Sequence, residues 1–219
     1  MIYSILLTLH VIAGSAALLG GLVAIVAKKA RGVHTNAGKV YYIGMYGVAF
    51  SAVVMTLIKF NPFLLAVGIF AFYLTYTGKS AITNYRRKAP WEFKPSAVVP
   101  GYAGLAVALF MIGWPIAEMI LSHRLFVPIL SVFGFILLLN TIQDIRFLSN
   151  PLNRVARNRQ FLLLHIGKMG GAYIATTTAF LLNNFTFNPA WIGWLLPTII
   201  GSPLIARAIR IWRNKLKLA

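Results

Sequence analysis

The chain contains no cysteine, and its 219 residues include only three acidic side chains, Glu92, Glu118 and Asp144. Without cysteine there are no disulfides, thiolate metal sites or cysteine nucleophiles. The shortage of acids leaves 21 lysines and arginines almost unopposed, for a formal net charge of +18. Charge of either sign is nevertheless sparse: 11% of residues are charged, against roughly a quarter in a soluble domain. Hydrophobic residues make up 59%, more apolar surface than a water-soluble fold of this size can hide. A Walker motif, the H-E-x-x-H and H-x-x-E-H spacings of metalloproteases and a Ser-His-Asp order are all missing, so the sequence reads as that of a non-enzyme. A retinal protein wants a mid-membrane lysine on its last span with an acidic counter-ion, and the last apolar run offers neither. The positive charge is not arranged for nucleic acid either, because it caps apolar runs and does not line one face with interleaved aromatics.

What is present is a set of seven long apolar runs, Ile2–Ala27, Val40–Ile58, Pro62–Thr83, Ala97–Leu121, Leu125–Ile145, Phe161–Leu182 and Ala190–Ile211. A hydrocarbon core of about 30 Å takes about twenty residues of helix, so each run predicts a membrane span. The basic residues fall in alternate gaps. Lys28, Lys29, Arg31 and Lys39 fill 28–39, Arg86, Arg87, Lys88 and Lys94 fill 85–96, and Arg146, Arg154, Arg157 and Arg159 fill 146–159. Arg207, Arg210, Arg213, Lys215 and Lys217 crowd the C-terminal tail, while the other gaps offer only Lys59 and Arg124. Positive loops stay in the cytoplasm. The expected fold is therefore all-α, a single domain over residues 1–219: an integral membrane bundle of seven transmembrane helices, N-terminus outside and C-terminus cytoplasmic. Anionic headgroups on the cytoplasmic side are the natural partner, at about 1 kcal/mol per basic residue. Residues 1–27 lack a basic n-region and read as a retained first span. Trp191 and Trp194 at one end of the last run and Trp212 at the other stand about 31 Å apart on a helix, the separation of two interfacial belts. Pro100 and Pro115 are expected to kink the fourth helix, and Pro90 and Asn150-Pro151 to break any helix in the inner loops.

Polar side chains inside the runs are the default functional candidates, since lipid does not tolerate them. His10 belongs to the outer half, with Glu118 and His123. The inner half is richer. His165 and Lys168 lie near the start of the sixth span, and Asn140, Gln143 and Asp144 near the end of the fifth. Tyr73, Thr77, Ser80 and Asn84 form a stripe on the third, and His34 precedes Tyr41 and Tyr42 at the start of the second. These residues predict a polar, histidine-centred site open to the cytoplasm, built from His165, His34, Asp144, Lys168, Asn140, Ser80 and Tyr41, that binds a metal ion or small ligand. His10, His34 and His165 are the candidate ligands of a transition metal or of haem b in a transmembrane electron carrier. A proton-coupled transporter relaying charge through Asp144, Lys168 and His165 is a further alternative. Against these stand plainer readings: lysines that snorkel, a local pair of Asp144 with Arg146, and Glu92 paired in water with Lys88 or Lys94.

The motif Leu9-His10-x3-Gly14-x2-Ala17-Leu18, followed by His34-x3-Gly38-x2-Tyr41, resembles an uncharacterised family of bacterial multi-pass membrane proteins. In that group a first-helix histidine precedes an H-x-x-x-G-x-x-Y signature opening the second helix. His165-Ile166-Gly167-x-Met169 and the stretch Ala172-Tyr173-Ile174-Ala175 through Thr178-Ala179-Phe180 are similar to its later helix. The resemblance implies an inner-membrane protein of unknown activity in which His10, His34 and His165 are family features. The alternation of basic gaps gives a direct expectation. Single cysteines at Lys29, Lys88 and Arg157 are protected from an impermeant thiol reagent in intact cells, whereas one at Asn184 is labelled; outside labelling of the first three overturns the map.

Overall fold

The computed structural model describes residues 1–87, 94–122, 129–149 and 154–217. Seven long helices occupy them: α1 (Ile2–Val26), α2 (Val33–Ile58), α3 (Pro62–Tyr85), α4 (Val99–Ser122), α5 (Ile129–Ser149), α6 (Arg154–Asn184) and α7 (Trp191–Lys217). A single 3-10 turn, Pro95–Ala97, leads into α4. Six of the helices are long and apolar enough to cross a membrane, α6 being the exception among the described residues. The expectations for Lys88, Pro90, Glu92, His123, Arg124 and Asn150-Pro151 fall outside the described residues.

The helix ends follow local chemistry. Asn61 caps α3, its side-chain oxygen accepting from the Leu64 N–H at 3.0 Å, with Pro62 at the first helical position where its missing N–H costs nothing. At the end of α1, orphan carbonyls are taken up by side chains. His34 Nδ1 meets the Ala24 oxygen at 2.8 Å, and the Lys29 ammonium donates to the oxygens of Ala24 and Ile25. Gly32, with φ of 107°, turns the chain sharply, so that α2 starts seven residues before its apolar run and carries His34 inside it. Helix α6 likewise begins at Arg154, seven residues before its apolar run, and takes in Arg157 and Arg159. Pro100 sits in the first turn of α4 and interrupts nothing; Pro115 lies inside α4, and Pro197 and Pro203 lie inside α7.

Helices α3 and α6 pack on each other and form the middle of the bundle. Helix α3 also touches α2, α4 and α5, and α6 also touches α1 and α7. This explains the composition of α6: flanked by three helices, it carries polar groups that a lipid-facing helix does not. At the end where α3, α5 and α7 are anchored by aromatics, Phe63 meets Trp194 at 5.2 Å, Phe133 meets Trp194 at 6.1 Å and Phe70 meets Phe133 at 5.4 Å between ring centroids. Trp194, expected in an interfacial belt, is thus a packing residue. The opposite end collects Lys28, Lys29, Arg86, Arg87 and Arg213 and is the basic end of the bundle.

The tightest helix pair is α1 against α2. A Cβ added at Gly44 would stand 2.7 Å from the backbone oxygen of Ala13, so only glycine permits this approach. Gly44→Val is therefore expected to destabilise the protein by about 1–3 kcal/mol, the usual cost of overpacking. Gly38→Ala is its control, since nothing lies within 4 Å of the added carbon. Thermal unfolding in detergent measures both, and an unchanged midpoint for Gly44→Val contradicts the packing described.

Candidate functional site

Asp144 on α5 and Lys168 on α6 form a buried ion pair, Nζ to Oδ2 at 2.8 Å, with side chains 8% and 3% exposed. The same carboxylate oxygen accepts from the Tyr73 hydroxyl of α3 at 2.5 Å. Two donors on one oxygen hold the carboxylate in place from both sides. Lys168 also donates to Asn140 Oδ1 at 3.3 Å, and its ammonium stands 5.2 Å from the centre of the Tyr73 ring. The Asn140 amide is oriented for this, because its own NH2 donates to the Ile136 carbonyl one turn back at 2.9 Å. Room for the Tyr73 ring comes from Gly104 on α4, where an added Cβ would lie 2.8 Å from the ring edge and 2.7 Å from Thr141 Cγ2. Four helices therefore converge on one charge-neutral cluster.

Two chambers adjoin it. One, of about 110 Å³, is walled by Asn140, Gln143, Gln160, Leu163, Leu164, Gly167, Lys168, Ile209 and Arg213. The other, of about 160 Å³, lies deeper and is mainly apolar, with Phe70, Leu74, Phe133, Ile136, Ile174 and Ile205 in its wall. Asn140 and Gly167 line both, so the chambers meet there. Neither of these two chambers has a histidine in its wall.

The histidines have separate partners. His165 Nδ1 lies 2.9 Å from the Gly78 carbonyl, and His34 Nδ1 lies 2.8 Å from that of Ala24. A carbonyl only accepts, so each Nδ1 carries the proton. His10 Nδ1 lies 2.9 Å from Ser51 Oγ, whose own hydrogen is directed at the Gly47 carbonyl at 2.7 Å, so His10 is the donor there too. Among the described residues no three His, Cys, Asp or Glu side chains form a group able to hold a metal ion. The expected set of His10, His34 and His165 is thus not assembled: each imidazole ties two helices together at a different place. His165 remains one helical turn from Lys168, with His34, Lys79 and Arg86 near enough to act on it electrostatically.

Of the other expected site residues, Asn140, Asp144 and Lys168 come together as described. Asp144 pairs with Lys168 and not with Arg146, and Lys168 is pinned inside the bundle and does not snorkel. Ser80 is exposed and lies outside the cluster. Tyr41 is buried, 3% exposed, and packs against Tyr173 across 6.1 Å; its hydroxyl makes no hydrogen bond to the cluster. Lys79 does reach outward, standing 5.0 Å over the Tyr42 ring. Tyr73, Gln160 and Arg213 were not singled out as site residues; Tyr73 was visible only as one member of a polar stripe, and Arg213 only as tail charge.

Removing one member of a buried ion pair strands the other, at a typical cost of about 3–5 kcal/mol, whereas replacing both with apolar groups is close to neutral. Lys168→Met alone is expected to destabilise by that amount, and Asp144→Leu with Lys168→Met to regain most of it. Chemical or thermal unfolding in detergent checks this, and simple additivity of the two single losses rules out the coupling.

No protein-family model, curated protein or solved structure matches the chain.

Proposed function

We propose that the chain is a multi-pass protein of the bacterial inner membrane, N-terminus outside and C-terminus cytoplasmic. It binds a small polar or ionic ligand from the cytoplasmic side, in the chamber beside Lys168. Six apolar helices support the membrane reading, the basic end of the bundle supports the orientation, and the motif resemblance supports the bacterial setting. One observation carries the ligand reading: Lys168 is at once the partner of Asp144 and part of the chamber wall. An acceptor group entering the chamber competes with Asn140 and Asp144 for the ammonium. Tyr73 keeps Asp144 hydrogen-bonded while that happens. The centre of the site is then the ion pair, with His165 setting the register of α3 on α6 through the Gly78 carbonyl.

A proton-coupled transporter is the second reading, favoured by the shared Oδ2 atom of Asp144, where Tyr73 and Lys168 both donate. It requires a path beyond the deep chamber, past Phe133 in its wall, which packs against Trp194.

The absence of cysteine makes the test direct. A single cysteine at Gln160 or Asn140 is expected to react with a small impermeant thiol reagent in inside-out vesicles and to be silent in intact cells, with Asn140→Cys the slower of the two. Reaction from the outside refutes the orientation. Silence of both sites in folded protein from either side refutes the open chamber.

A further inference from the structure

We infer that the two chambers together bind one anionic phospholipid, its phosphate in the shallow chamber and the first few methylenes of one acyl chain in the deep one. This rests on the reading of the Lys168 chamber as a ligand site and names the class of ligand. The shallow chamber is rich in donors and poor in acceptors. Its polar wall consists of two cations, Lys168 and Arg213, and three amides, Asn140, Gln143 and Gln160, with no carboxylate. Asp144 balances Lys168 from behind, which leaves the Arg213 charge unmatched. Among the described residues Gln143, Gln160 and Arg213 hydrogen-bond to nothing, so their donors are available. A phosphodiester supplies the missing negative charge and the missing acceptors, as basic pockets between membrane helices do for lipid headgroups.

Depth and shape agree with that occupant. Gln160 is six residues into α6 and Arg213 four residues from the end of α7, one to two turns inside the basic end. The deep chamber continues from Asn140 and Gly167 toward Phe133, the direction an acyl chain takes from its headgroup. At about 160 Å³ it is the size of apolar cavities of roughly 150 Å³ that admit a small hydrocarbon guest, which is room for a short segment of a chain. Neither chamber is sealed: Ser202 in the deep wall and Gln143 and Arg213 in the shallow wall are exposed. A free phosphate matches the shallow chamber alone and leaves the deep one unexplained.

The experiment reads the labelling rate of Gln160→Cys by an uncharged thiol reagent. The protein is placed in nanodiscs of phosphatidylcholine, with or without a minority of phosphatidylglycerol. Arg31→Cys, in the turn before α2, reports any general surface effect. Phosphatidylglycerol is expected to slow Gln160→Cys roughly five-fold relative to Arg31→Cys, the contribution of one basic contact at a headgroup. Adding Arg213→Gln removes that preference. Gly167→Leu removes it too by blocking the junction; an added Cβ there meets Ile209 at an ordinary 3.6 Å, so the change is sterically tolerated at its root. Equal rates with and without phosphatidylglycerol overturn the lipid assignment. Protection by inorganic phosphate in phosphatidylcholine discs, without protection by the lipid, also overturns it while leaving the ligand chamber intact. A Gln160→Cys that does not react in any disc, beside a reactive Arg31→Cys, removes both the lipid and the chamber reading.

Discussion

A lysine and an aspartate cannot each face hydrocarbon, and the arrangement of this bundle follows from that constraint. Each ion alone at mid-membrane costs about 3 kcal/mol even on the lenient insertion scale. Together at 2.8 Å they are neutral as a unit, and the remaining valences go to Tyr73 and Asn140. For this to happen α6 has to stand against α3 with other helices around it, and it does, meeting α1, α3 and α7. Among the described residues α6 is the one long helix that falls short of the apolar character of a span. The polar composition of α6 and its central position are therefore one fact seen at two levels.

The helices were legible in the sequence because each apolar run is long enough to commit a segment to helix by itself. Their ends were less so. Helices α2 and α6 run past the apolar stretches into Val33–Lys39 and Arg154–Gln160, where nothing in hydropathy marks a helix. What extends them is backbone pairing, such as the Asn36 N–H on the Gly32 carbonyl at 2.9 Å, and side chains that cap a neighbour, as His34 does for α1. The kink expected at Pro100 failed for a positional reason: in the first turn a proline has no intrahelical hydrogen bond to break.

The site was half legible. Asn140 and Asp144, one turn apart on α5, and Lys168 on α6 are polar residues in apolar runs, and the structure brings all three together. Partner choice was not readable, because it is decided by which helices touch. Arg146 is closer to Asp144 in sequence, but the cation that reaches its carboxylate is Lys168. The histidines misled for a related reason. Imidazole at mid-span signals either a ligand or a helix tie, and what distinguishes them is the group that Nδ1 finds, a tertiary matter. Ser80 shares an ideal helical face with Tyr73, yet toward the end of α3 the cover has shifted and Ala81 is the buried residue, at 5% exposure.

The cleft itself depends on α7 having a single substantial neighbour. That neighbour is α6, and the two helices interlock: a Cβ at Gly201 would meet Ile174 at 2.5 Å, and one at Gly170 would meet Ile205 at 2.7 Å. Each isoleucine lies across a glycine of the other helix, and both also wall the deep chamber. Opposite them stands α5, joined to α7 at the aromatic end by Phe133 and Trp194. Pro197 and Pro203 fall in the α7 stretch that contributes Thr198, Ser202 and Ile205 to the chamber. Each proline leaves a carbonyl one turn back without its helical partner, which softens the helix against bending there. The interlocking residues Gly201 and Ile205 fall in that same stretch, so α6 holds α7 where its own backbone pairing is weakest. The cleft beside Lys168 is thus walled by a helix seated on α6, while the Asp144–Lys168–Tyr73 cluster involves no residue of α7 and is held by α3, α5 and α6 alone.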